Sequence, residues 1–503
     1  MSLRRRQVLG SAAAAVLATV GAAGRGPDYA ALARGIDGRL VLPGDPAYPE
    51  ARQLFQPRYD SVAPGAVAYP AHAADVAVCL DFARRSAVPV VARGGGHGYA
   101  GWSTRAGGLV VDVGAMAAVE ADGDGVRIGA GARLGDVNAA LAGRGLAVPT
   151  GLCPSVGIAG LTLGGGLGPA SRAYGATCDR LTAARVVTPD GAVREVSADR
   201  DPDLFWALRG GGGGNFGVVT EFRFRTHPAG DCALAELHWS HGDSAAVLHG
   251  WQRWLSGLPD PFWSQVEFTV EAGSAAPPPA VRVVCLDGRP ELERQLTRLA
   301  DLVGRPPRDS WSTVRSYGDT VRTLSGCLER SAEQCRLPGT LPGRDPAGLL
   351  GRDSYAARSD FWTGAGLPDA AVGAVLAAVR RYGAEVPPGG VGVVQFDGVC
   401  GGALNRVGAL DTAFVHRDSA FLAQYLAYWP RSATAAEAAR HQSWLDGLWQ
   451  DLRPWASGRA YQNYADPRLA GWRGAYYGPN LSRLEDVRRA YDPDRLFRFP
   501  QAL

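Results

Sequence analysis

The sequence predicts an α+β protein built from a glycine-rich unit over residues 40–229, an inserted unit over 230–455, and a tail, 456–503, that rejoins the first. Three observations carry that prediction. From Ala66 onward, short apolar runs and helical spacings alternate quickly. Near residue 230 the glycine runs disappear, and Trp- and Leu-rich helices alternate with longer strands. After residue 455 compact motifs return: "YQNYADP", "YYGPN" and "YDPDRLFR". At 503 residues the chain is too long for one ordinary domain.

The run "AVAYP" from Ala66 predicts a short strand. Val76, Cys79, Leu80 and Ala83, at helical spacing, predict a helix over 73–86. "VPVVARG" predicts a buried strand that runs directly into Gly94. "LVVDV" (109–113) and "GVRIGAGA" (125–132) predict further strands, and "LGDVNAALAGRG" a helix ended by glycine. "LTAARVVTPDGAVREV" predicts a hairpin that turns at Asp190-Gly191. In the inserted unit, "FWSQVEFTV" and "AVRVVCL" predict strands, and Pro277 to Pro279 a rigid connector. "GGVGVVQFDGVCGG" (389–402) predicts a buried strand that enters a glycine bend. No internal repeat is present.

Apolar residues make up 46% and charged residues 20%, the balance of a soluble enzyme-sized protein. All 52 basic residues are arginine, which points to GC-rich coding and excludes a Schiff-base or P-loop lysine. The start, "MSLRRRQVLGSAAAAVLATVGAAG" (1–24), joins a basic stretch, an apolar run and small residues. That is an export-signal pattern, and Arg5-Arg6 gives it a twin-arginine character, so the protein is expected outside the cell. The apolar run is too short and alanine-rich for stable membrane insertion. Once Arg4, Arg5 and Arg6 are set aside, the remaining basic residues equal the 49 acidic ones. A neutral protein has no electrostatic reason to seek nucleic acid. Eight cysteines form no CxxC pair and no zinc spacing, so no metal site is expected. Cys327 and Cys335 are close enough in sequence to bridge, or both stay thiols.

Two glycine blocks point to a ligand that approaches the main chain. In "RGGGHGYAGW" a histidine follows three glycines, and consecutive amides there make an anion nest. A nicotinamide fingerprint would open a helix after its glycines, whereas "YAGWSTRAGG" reads as loop. The second block, "TGLCPSVGIAGLTLGGGLG", holds Cys153 among seven glycines from 151 to 168. A thiol near loop amides is expected to have a lowered pKa and to be nucleophilic.

These motifs, with "LRGGGGGNFGVVTEFRFR", "FVHRDSAFLAQYLAYW", "YQNYADP" and "YYGPNLSRLEDVRRAYDPDRLFRFPQ", occur in an order that resembles the berberine-bridge-enzyme-like branch of the FAD-linked oxidases. The resemblance runs from about Tyr59 to the C-terminus. It implies a PCMH-type FAD-binding domain of two α/β subdomains, with an inserted substrate domain whose antiparallel sheet is covered by helices. It implies FAD attached twice, through His97 to the C8 methyl and through Cys153 to C6 of the ring. It further implies that Arg93, Gly94, Gly95, Gly96, Gly98, Gly151, Val156, Gly157, Gly160, Gly165 and Gly166 wrap the pyrophosphate and ribityl chain. Val219 is then expected at the adenine side, and Asn463 and Asn480 near the isoalloxazine. The glycine run 210–214 is expected only to shape a strand entry.

A flavin that oxidises an alcohol takes hydride at N5 while a base removes the hydroxyl proton. The resemblance implies Tyr461, first residue of "YQNY", as that base. A phenol serves at neutral pH only if a positive group or a hydrogen-bond donor stabilises the phenolate. "VVQFDGVCGG" matches a strand that, in relatives, projects a polar side chain over the ring. Gln395 is the match, with Asp397 as the alternative because this chain has one extra residue before the glycine pair. Tyr174, Tyr425 and Tyr428 are pocket candidates. Ile158 lies where branched residues in relatives block oxygen, which would make the enzyme a dehydrogenase; an oxidase that gives hydrogen peroxide is favoured. Trp239, Trp251, Trp254, Trp263 and Trp311 are stacking surfaces for sugars or fused rings, or else core. The expected substrate is a sugar, glycoside or polyketide-like alcohol. Tailoring of a secreted metabolite is favoured over a secreted carbohydrate oxidase, and a silent flavin-containing binding protein stands as the alternative of another class.

Overall fold

The computed structural model describes residues 26–503, apart from 124 and 365. The export signal therefore lies outside the described residues. No helix among them is long and apolar enough to cross a membrane.

The first unit holds two sheets on one apolar core. A four-stranded sheet runs in the order Arg39–Val41, Ala66–Tyr69, Leu109–Asp112, Val90–Arg93, the last three strands parallel. The helix Ala73–Arg85 buries Val76, Cys79, Leu80 and Ala83. A five-stranded antiparallel sheet follows the order Val119–Asp122, Gly125–Gly129, Val218–Arg225, Leu181–Val187, Val193–Ser197. Its hairpin turns where Thr188 and Ala192 bond across Asp190 and Gly191, the glycine at φ 84°. Val90, Leu109 and Val111 from one sheet join Ile128, Val186 and Phe222 from the other in the shared core.

The inserted unit is a seven-stranded antiparallel sheet. Its order is Asp309–Ser316, Asp231–His238, Ala280–Cys285, Phe262–Glu271, Val391–Asp397, Phe421–Trp429, Ser354–Trp362. Helices Ser244–Leu255, Arg289–Val303, Asp369–Glu385 and Ala435–Leu452 cover one face. Side chains alternate across a strand, so each strand divides its residues between two faces. Val266, Phe268, Val394, Phe396, Ala423 and Tyr425 pack under the helices. Gln265, Glu267, Gln395, Asp397 and Gln424 point the other way, towards the first unit.

Two stretches stitch the units together. Leu341 packs with Val41, Tyr48, Val67 and Val110, while Glu50 accepts the N–H of Thr340 (2.9 Å) and of Leu341 (2.8 Å). Cys327 and Cys335, left open by the sequence, are joined by a disulfide. The tail returns to the first unit: Phe497 bridges to Val90, and Leu503 N–H donates to Asn215 Oδ1 at 3.2 Å.

Candidate functional site

A cavity of about 860 Å³ opens between the two glycine loops and the helix-free face of the seven-stranded sheet. Its first wall is the strand Val90–Arg93 and the loop that follows. Arg93 is anchored by two of its nitrogens: Nε pairs with Asp112 at 2.5 Å, and Nη2 donates to the Ala51 carbonyl at 2.6 Å, while Nη1 is buried without a hydrogen-bond partner. The second wall is the block around Cys153, laced to the helix Leu134–Ala142 by bonds from Leu134 N to Val156 O and from Gly135 N to Pro154 O. The loops touch at Gly95 and Gly157. A Cβ on Gly95 would run into the Gly157 backbone nitrogen and lie 2.9 Å from its Cα, so neither position has room for a side chain.

His97 and Cys153 face one space from these two walls. Ser155 Oγ lies 2.9 Å from His97 Nε2, and Phe55 stacks on the imidazole with ring centres 4.0 Å apart. Burial, helped by the nearby Arg133 guanidinium, pulls His97 down to about 3 and keeps it neutral. Cys153 is exposed, but into the enclosed cavity. Burial therefore pushes its thiol above the ordinary range, the reverse of the expected depression; the loop amides do not offset desolvation.

The facing wall is polar. Asp397 accepts from Trp263 Nε1 at 2.6 Å and from Gln395 Nε2 at 3.4 Å, and burial lifts its carboxyl to about 7. Glu267 accepts from Gln265 and, at 2.7 Å, from Thr269, with Arg282 3.6 Å away. Gln424 donates to Tyr99 Oη at 2.8 Å. Between the polar wall and the glycine loops stands Tyr461, whose Oη accepts the Gly166 N–H and an Asn463 N–H, each at 2.9 Å. Burial nonetheless holds its phenol well above the usual range.

Arg93, Gly94, Gly95, Gly96, His97, Gly98, Gly151, Cys153, Val156, Gly157, Gly160, Val219, Gln395, Asp397, Tyr428, Tyr461 and Asn463 all line the cavity. Gly165, Gly166 and Asn480 do not. Gly165 backs onto the Phe414 ring, Gly166 holds Tyr461, and the Asn480 amide donates to the Ala409 and Thr412 carbonyls at 2.8 and 3.1 Å. Ile158 is fully buried in the first unit's core and does not line the cavity. Tyr425 lies under the helices, and Tyr174 stacks on His227 instead. Trp239, Trp251 and Trp254 are core, Trp311 is exposed on an edge strand, and Trp263 alone of the five reaches the cavity.

The glycine run, expected only to shape a strand entry, supplies Gly212, Gly213 and Gly214 to the wall. Phe55, Ser155, Gln265, Glu267, Gln424 and Phe499 also line it and were not singled out. The alternation within "FWSQVEFTV", polar at every second position of an apolar strand, was a readable signal for Gln265 and Glu267.

These residues fit FAD. The cavity has cofactor dimensions, and its glycine end offers main-chain groups without side chains in the way. A Cβ on Gly98 or Gly160 would meet no protein atom. On the wall, Ser103 Oγ and Gln501 Oε1 are buried polar atoms without a protein partner, as a polar ligand requires.

Comparison with known proteins gives the same picture. Residues 64–197 match the model of an FAD binding domain, and residues 460–503 the model "Berberine and berberine like". The FAD-linked oxidoreductase YgaK of Bacillus subtilis (strain 168) is 31% identical over 93% of this chain and 97% of its own. The structure of BBE-like 1 from Physcomitrella patens superposes with a TM-score of 0.82 at 28% identity, over 94% of this chain and 98% of that one. Glucooligosaccharide oxidase from Acremonium strictum, which carries a 6-S-cysteinyl, 8α-N1-histidyl FAD, superposes with a TM-score of 0.82 at 25% identity, over 94% and 99%.

Proposed function

Because the chain belongs to the berberine-bridge-enzyme-like FAD-linked oxidoreductases, we propose that it oxidises an alcohol carbon of a sugar or secondary metabolite, with FAD held covalently by His97 and Cys153. One observation supports this above the rest. An imidazole and a thiol on two clasped loops share a cavity whose far side carries a phenol with two N–H donors aimed at its oxygen. FAD held there by the glycine loops, His97 and Cys153 would supply a two-electron acceptor for the alcohol, with oxygen the favoured final acceptor. The chain's own residues do the rest. Tyr461 takes the hydroxyl proton, and the Gly166 and Asn463 N–H groups stabilise the charge that forms on its oxygen. Gln395 and Asp397 orient the substrate from the sheet.

Tailoring of an exported metabolite is the favoured reading. The polar sheet wall and the likeness to a glucooligosaccharide oxidase support an exported carbohydrate oxidase as the second. A screen that follows flavin bleaching without oxygen, then peroxide after air is admitted, separates these. Bleaching by simple oligosaccharides favours the second; bleaching without peroxide makes the protein a dehydrogenase; no bleaching by any alcohol or glycoside refutes catalysis. Acid denaturation tests the tethers: a yellow supernatant over a colourless pellet overturns covalent attachment.

A further inference from the structure

His97 is held by two contacts with different effects. Phe55, stacked at 23° to the imidazole, sets the plane of the ring. Ser155 Oγ, 2.9 Å from Nε2, sets which edge points where. The hydrogen bond found for the ring among the described residues is the one at Nε2, and His97 lines the cavity, which leaves Nδ1 as the nitrogen for a ligand there. Since burial and Arg133 keep the ring neutral, one nitrogen carries the proton and the other a lone pair. A proton on Nδ1 would leave an unpaired N–H facing a desolvated space, and buried orphan N–H groups are rarer than under-used acceptors. A proton on Nε2 instead finds the Ser155 oxygen.

We propose that Ser155 is a positioning residue for flavin attachment: its hydroxyl holds the proton of His97 on Nε2 and thereby presents the Nδ1 lone pair to the cavity. The proposal rests on the covalent reading given above and deepens it. Ser155 itself is buried, and it sits in the turn that Cys153 opens, where Val156 N bonds back to Cys153 O at 3.2 Å. The Ser155–His97 contact therefore also sets the distance between the two tether residues.

The step balances. Nδ1 gives its lone pair to form a C–N bond with the ring's C8 methyl carbon. One C–H bond and the Nε2–H bond break, and dioxygen takes the two electrons and two protons as hydrogen peroxide. The Ser155 hydroxyl accepts from Nε2 before attachment and donates to the bare nitrogen afterwards, a reversal that a hydroxyl allows and a methyl group does not.

The test uses full-length protein produced without riboflavin and carrying Cys153→Ala, so that only the histidyl link is counted. FAD is added, samples are denatured over time, and intact mass reads the adduct. Ser155→Ala should slow attachment about tenfold, the worth of one lost hydrogen bond, while Ser155→Thr stays near the parent rate. Nitrogen-15 spectra of the flavin-free protein should show His97 protonated on Nε2 in the parent and a mixture of tautomers in Ser155→Ala. Attachment in Ser155→Ala at the parent rate, or a parent with its proton on Nδ1, overturns this proposal alone. Failure of the parent to form any adduct overturns the covalent reading and this proposal with it.

Discussion

Tyr461 is the residue where opposing effects meet. Burial favours the phenol, and two N–H donors favour the phenolate; burial wins, so the free cavity holds a phenol. If the phenolate is the base, its fraction grows with pH. The logarithm of kcat/KM should then rise towards unit slope between about pH 7 and 9. Tyr461→Phe should flatten that limb and slow anaerobic flavin reduction by about 10²- to 10⁴-fold, read by stopped-flow absorbance. A steep limb in Tyr461→Phe would assign it to another group, such as Asp397, which lines the same cavity and which burial lifts to about 7. At this scale the sequence pointed to the cavity wall where a residue type is rare in its setting: a histidine behind three glycines, a cysteine among seven, both of which line it. It was silent on Ser155, because a serine in a turn has no signature until its neighbour across the fold is known. It misled on the Cys153 thiol, because nearby amides are visible in sequence and burial is not.

The glycine loops make their prediction at the scale of elements. Gly95 faces backbone and Gly160 faces open cavity, so equal substitutions should have unequal effects. Gly95→Ala forces the loops apart, and overpacking of this kind costs about 1–3 kcal/mol. Its melting temperature should fall even without flavin. Gly160→Ala meets no protein atom, so the flavin-free protein should melt as the parent does while flavin uptake falls. A parental melting temperature for flavin-free Gly95→Ala would show that the loops are not clasped. A different balance acts on the sheet strand Ser354–Trp362. Asp360 is buried, and desolvation raises its carboxyl to about 7, with Arg453 3.5 Å away. A carboxyl raised on folding adds stability at low pH, and that stability is lost as pH climbs from the unfolded value through the folded one. Asp360→Asn should therefore raise the melting temperature more at pH 8.5 than at pH 5; the opposite order would mean that Arg453 pairs with an ionised Asp360. Strands and the hairpin were readable because period-2 alternation and Asp-Gly turns are local signals. The run 210–214 was misjudged because glycines that shape a strand entry and glycines that face a ligand look the same without the tertiary neighbours.

At the scale of the whole molecule, the cavity belongs to neither unit. Glycine loops come from the first, the polar face from the inserted sheet, and Tyr461 and Phe499 from the tail. The order of motifs indicated that the tail rejoins the first unit. The packing of 337–345 against the four-stranded sheet was invisible, because Leu341 carries no sign of whose core it completes. A ligand at such a junction should hold both units, and the form of attachment decides how. A freely bound ligand stabilises the native state by RT ln(1 + [L]/Kd), about 2.7 kcal/mol at a hundredfold excess over Kd. A ligand tethered to the chain has no concentration to vary. The parent's melting temperature should therefore be indifferent to added FAD and to dilution. His97→Ala with Cys153→Ala keeps the cavity but removes both proposed links, so its melting temperature should climb with added FAD. Hydrogen exchange should slow with it at Gly94–Gly98 and at Val391–Asp397 together, since residues of both segments line the one cavity. A parent that loses stability on dilution, or a double variant whose two segments respond separately, would show that FAD does not join the units.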